Sequence, residues 1–151
     1  MRFLHPLFML GFFGLLYQQR ALGFKILGLK ERAPDFADRG SLLQKHRTWA
    51  IGLLIWGILG MIGGVVMTLK VLEAPTAFQH TYGHAFCALL VIACVFCAFA
   101  LGVSIKKVVK PKIRERFLSF HVNIVYVIMA FGTLALATGA GVLIWGISIG
   151  S

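Results

Sequence analysis

The stretch "FLSFHVNIVYVIMAFGTLALATGAGVLIWGISIGS", Phe117 to Ser151, contains no Lys, Arg, Asp or Glu. About 20 apolar residues are enough for a helix to cross a bilayer, so this run reads as a transmembrane helix with length to spare. It opens on a histidine, His121, and an imidazole in hydrocarbon is costly unless something binds it.

Three more charge-free runs precede it: Phe3 to Gln19, Thr48 to Leu69 and Ala74 to Ile105. The chain of 151 residues is 59% hydrophobic and only 13% charged, too apolar for a soluble domain of this length. The expected fold is all-α: one integral membrane domain over residues 1–151, a four-helix up-down-up-down bundle with helices at roughly 3–23, 46–69, 80–105 and 117–148. The first run is the shortest, and its helix is expected to continue through Gln18, Gln19 and Arg20, with the arginine snorkelling toward headgroups. The N-terminus imitates a secretory signal, but Tyr17, Gln18, Gln19 and Arg20 occupy the place of a small-residue cleavage site, so it reads as a retained helix.

Such a bundle puts both termini and the 70–79 loop on one side, here side A, and the other two loops on side B. Basic residues crowd side B, from Arg20 to Arg47 in one loop and from Lys106 to Arg116 in the other, whereas side A has Arg2 and Lys70. The positive-inside rule makes side B cytoplasmic or stromal and side A periplasmic or lumenal. The net charge of +10 follows from this asymmetry. Anionic lipid or an acidic partner accounts for it, and no nucleic acid is called for. The segment Phe24 to Lys45 reads as a polar loop broken at Pro34 and Gly40, with "GFKILGLK" as a short interfacial turn; Pro111 reads as ending the helix before it.

His5, His46, His80, His84 and His121 all stand near helix starts. With helices alternating in direction, His5 and His84 fall at side A of helices 1 and 3, and His46 and His121 at side B of helices 2 and 4. In such a bundle each pair faces across a diagonal, which suits bis-histidine ligation of haem iron or another tetrapyrrole. Zinc would ask for more ligands than either pair offers. His80, one turn before His84, is its substitute as ligand or a surface residue. Lys45, Arg47, Arg114 and Arg116 are candidates to neutralise propionates on side B, with Arg2, Lys70, Thr81 and Tyr82 the scantier set on side A.

Each proposed ligand is followed eighteen residues later by a glycine: Gly23, Gly64, Gly102 and Gly139. That spacing is about five turns, or about 27 Å, along the same helix face. These glycines are expected to open room where a flat cofactor in the opposite layer nears the helix. His80 leads to Ala98 instead, and helices 2 and 4 also share Gly57 and Gly132 eleven residues after their histidines. Ordinary helix packing is the competing explanation, Gly60 and Gly64 forming a GxxxG spacing. Cys87, Cys94 and Cys97 read as small apolar residues, and Trp49, Trp56 and Trp145 as interfacial or packing residues. No Ser-His-Asp set, phosphate loop or paired carboxylate occurs, which argues against hydrolytic and phosphoryl chemistry.

The segments "KHRTWAIGLLIWGILGMIGGVVMT", "YGHAFCALL" and "RFLSFHVNIVYVIMAFGTLALATGAGVLI", with "FLHPLFML" more weakly, resemble a four-helix membrane family of cyanobacteria and chloroplasts similar to cytochrome b561-type di-haem proteins. The features carried are His5-Pro6, His46, Gly83-His84, and His121 with Asn123; "QKHR" and "TYGH" depart from the family's usual entries to helices 2 and 3. The resemblance implies two haem b groups, electron transport across or within a thylakoid or bacterial inner membrane, and a small-molecule or protein electron donor and acceptor. The alternative is an accessory subunit of a photosynthetic or respiratory complex, such as a photosystem, holding haem or chlorophyll without turnover of its own.

Overall fold

The computed structural model describes the backbone over residues 4–32, 36–71 and 77–149, and side chains over 4–28, 39–67, 69, 83–142 and 144. It is all-helical: α1 (Leu4–Arg32), α2 (Phe36–Val71), α3 (Ala77–Lys107) and α4 (Pro111–Ile149). Three segments among the described residues are long and apolar enough to cross a membrane: Arg39–Met67, Gly83–Lys107 and Pro111–Val142. Large apolar side chains such as Ile55, Leu59, Val65, Leu89 and Leu134 remain exposed along these helices. Lipid tails are as apolar as leucine, so such a surface suits a membrane-associated protein.

The helices run further than the charge pattern predicts. The segment expected to be a loop between 24 and 45 is largely helix, because α1 continues to Arg32 and α2 starts at Phe36. Lys, Arg, Glu and Leu are good helix formers, and a single glycine such as Gly40 costs about 1 kcal/mol within a helix without ending it. "GFKILGLK" is therefore the continuation of α1 rather than a separate turn. Pro34 lies outside the described residues.

Pro111 opens α4 instead of closing α3, which ends at Lys107. A first-turn proline gives up no intrahelical bond, since its missing N–H would have had no partner there. Lys106 and Lys107 fill the last turn of α3, where a cation meets the negative end of the helix dipole.

α3 packs most closely on α4 and α1 on α2; α2 also meets α3, and α1 meets α4. Among the described residues the backbones of α1 and α3 do not approach each other, nor do those of α2 and α4. As α1 is followed from His5 to Gly23, its neighbours on α2 move from Gly64 through Gly60 and Gly57 back to His46. The contacts of α3 with α4 behave alike, from His84 beside Gly139 to Gly102 beside His121.

The middle of the bundle is filled by Phe12, Phe13, Leu16, Val91, Val95 and Ile128 among others. Phe12 is fully buried and meets Phe13 edge-on at 5.4 Å. Two mid-helix glycines make this possible. A Cβ at Gly57 would stand 2.6 Å from Ile92 and 3.1 Å from Phe12, and one at Gly132 would stand 3.0 Å from Phe13.

Candidate functional site

His46 on α2 and His121 on α4 come together across the bundle, their ring centroids 6.3 Å apart and their planes at 70°. Because the backbones of these two helices do not touch, only side chains span the diagonal. Two imidazoles at this separation can share one metal ion. A ligating nitrogen about 2 Å from the metal, with roughly another 1 Å to the ring centroid, gives about 6 Å between centroids.

His121 is held from outside the pair. Its Nδ1 lies 2.9 Å from the backbone carbonyl oxygen of Ala98 on α3, and in the Nδ1–H tautomer it donates to that oxygen. His84 on α3 does the same in return, with Nδ1 2.9 Å from the carbonyl of Ala135 on α4. In both rings the second nitrogen, Nε2, stays available as a ligand, and a carbonyl on the other nitrogen raises its basicity and fixes its aim.

Ala98 stands fourteen residues after His84, and Ala135 fourteen after His121. Four residues further come the two glycines, Gly102 and Gly139. A helical side chain leans back over the turn before it, so a residue at i+4 covers the carbonyl at i. Glycine at 102 and 139 therefore leaves the Ala98 and Ala135 carbonyls open to an imidazole from the neighbouring helix. The rings occupy that opening. A Cβ at Gly139 would lie 2.8 Å from His84, and one at Gly102 would lie 3.8 Å from His121.

α1 and α2 repeat the exchange. A Cβ at Gly64 would lie 3.1 Å from His5, and one at Gly23 would lie 3.5 Å from His46. The four histidines and four glycines expected from spacing thus meet as four reciprocal pairs, within α1–α2 and within α3–α4. Each glycine seats an imidazole of the neighbouring helix. His5 on α1 and His84 on α3, the other diagonal pair, sit against Gly64 of α2 and Gly139 of α4.

A cavity of about 540 Å³ opens around His46 and His121, with Gly23 and Gly102 in its walls. Its volume lies within the roughly 300–1,000 Å³ usual for small-molecule sites. Leu53, Val95 and Ile128 form an apolar floor, while Arg39, Arg47, Lys106 and Arg114 stand at its edge. Of the basic residues expected here, Arg47 and Arg114 line the cavity; Lys45 and Arg116 do not. Arg39 and Lys106 join them unexpectedly, and so does Arg20, whose guanidinium stacks 5.2 Å from the Phe24 ring centroid. Arg39 belongs to a segment whose charges signal a loop, and Arg20 and Lys106 reach the cavity from α1 and α3, since it draws its walls from four helices.

Asn123 is exposed and borders a shallow groove with Ser119 and Leu27, away from the histidines. Trp56 packs inward, donating from its indole N–H to the Phe8 carbonyl at 3.1 Å, with Gly11 making room for its ring. Cys87, Cys94 and Cys97 are free thiols on α3. No three His, Cys, Asp or Glu side chains converge among the described residues. The side chains of Lys70, His80, Thr81, Tyr82 and Trp145, together with Arg2, fall outside the described residues. Comparison with protein-family models, curated proteins and solved structures gives no match.

Proposed function

We propose that the protein is a b-type di-haem cytochrome that moves electrons across or within a membrane. The observation that carries this reading is the facing of His46 and His121 at 6.3 Å over an apolar cavity with a cationic edge. His46 and His121 would hold one haem, and His5 and His84 the other. Haem iron supplies one-electron chemistry, and the chain's part is to set the axial nitrogens, the polarity and the separation of the two centres.

The cationic edge favours haem over chlorophyll. Haem b carries two free propionates, which Arg39, Arg47 and Arg114 are placed to neutralise, whereas the corresponding acids of chlorophyll are esterified. Facing histidines argue the same way, since His46 and His121 together would supply two nitrogen ligands to one iron. In this reading α1 is the fourth membrane span of an up-down-up-down bundle, both termini are periplasmic or lumenal, and the basic loops are cytoplasmic or stromal. A thylakoid or bacterial inner membrane would house it. Small molecules or proteins would donate and accept the electrons.

The test is a reduced-minus-oxidised absorption spectrum of the purified protein with pigment extraction alongside. Two b-type haems per chain are expected. Chlorophyll without haem would make it an accessory subunit of a photosynthetic complex, and a colourless folded protein would overturn both.

A further inference from the structure

His46 differs from His84 and His121 in one respect. Among the described residues its Nδ1 is buried without a hydrogen-bond partner, and so is Oε1 of Gln19 on α1. The two residues already touch, because the Gln19 side-chain amide donates from Nε2 to the backbone carbonyl of His46 at 2.7 Å. Gln19 also occupies a definite register position. It stands fourteen residues after His5, as Ala98 does after His84 and Ala135 after His121, and a glycine follows four residues later in all three cases. His46 presents its Cε1 edge to Gly23 as His121 presents its own to Gly102.

We infer that Gln19 is the positioning residue for His46: its Oε1 accepts the Nδ1–H of the ring while its Nε2 holds the backbone carbonyl of the same residue. One amide then joins both ends of His46, and the pairing satisfies two buried atoms that would otherwise each cost free energy. The register that brings the Ala135 and Ala98 carbonyls to His84 and His121 brings residue 19 to His46, where on this inference the side-chain amide is the acceptor. That makes the electron-donating strength of the His46 ring a property of residue 19. An acceptor on Nδ1–H makes the ligating nitrogen more basic and favours ferric over ferrous iron.

This inference rests on the haem reading for its redox consequence but not for the hydrogen bond itself, and two measurements separate them. Nitrogen NMR of histidine-labelled protein without haem should show His46 as the Nδ1–H tautomer with a hydrogen-bonded proton, lost in Gln19→Leu. In haem-loaded protein, Gln19→Leu should raise the potential of the His46–His121 centre by the equivalent of a tenfold shift toward the reduced form, about 59 mV for one electron. Haem affinity there should fall roughly 10- to 100-fold. Gln19→Glu, which keeps the size and an acceptor, should lower that potential, and the His5–His84 centre should stay put in both variants. An unchanged His46 signal and an unchanged potential in Gln19→Leu would overturn the assignment. Should the wild type take up no haem, the proposed function fails while the NMR comparison still decides Gln19's role. If Gln19→Leu does not fold, Gln19→Glu alone still decides: no fall in potential overturns the inference.

Discussion

Gly139 and His84 are the tightest of the four glycine–imidazole pairs: a Cβ on residue 139 would stand 2.8 Å from Cε1 and 2.9 Å from Nδ1 of His84. That ring is tied to the Ala135 carbonyl and cannot swing aside without losing the bond. Gly139→Ala should therefore destabilise the protein by about 1–3 kcal/mol, as overpacking does elsewhere. Gly102→Ala, whose Cβ would meet His121 at an ordinary contact distance of 3.8 Å, should cost much less. Thermal unfolding of the two variants in one detergent checks the order, and equal midpoints would count against a seat for the ring at residue 139.

Removing one histidine should remove one centre. His46→Ala and His121→Ala are each expected to halve the haem content and to eliminate the same spectral component, with His5→Ala and His84→Ala eliminating the other. A pyridine haemochrome assay on the four variants measures this. Loss of both components from His121→Ala at retained fold would contradict the diagonal pairing.

The cationic edge of the cavity makes a separate prediction. Arg39→Gln and Arg114→Gln should each weaken haem retention at the His46–His121 site roughly tenfold, given about 1.5–3 kcal/mol for a hydrogen bond to a charged group, discounted because Arg114 is exposed and Arg39 partly so. Haem dimethyl ester, which lacks free propionates, should bind the wild type and both variants alike. Competition titrations with the two haems read out the difference.

Phe12 separates the two histidine layers and is wholly buried against Gly57. Phe12→Ala should cost about 3 kcal/mol, the lower end of the range for such truncations, because in lipid the loss is of packing rather than of transfer from water. Chemical unfolding in mixed micelles would show it.

Much of the candidate site was legible because helical periodicity is local. Eighteen residues is five turns, so a histidine and a glycine on one helix face could be paired on paper before any neighbour was known. What each glycine meets was not legible, since it depends on which helices adjoin and at what offset. Only the packed chain shows that Gly23 lies against the His46 ring as well as in the wall of the cavity beside it. The segment from Phe24 to Lys45 was misread for a different reason. Its charges and Pro34 signal a loop, yet apolar residues such as Ile26 still find a buried position and carry the helix onward. Arg39 became visible as a cavity residue only with that extension.

The reciprocal pairing has a bearing on assembly. α1 with α2 forms one hairpin and α3 with α4 another, and the facing pair takes His46 from the first and His121 from the second. Neither half owns a complete site. On the proposed di-haem reading, a haem in either layer would be gripped from both halves at once and so would act as a rivet between them, adding to the core packing that already joins the two hairpins.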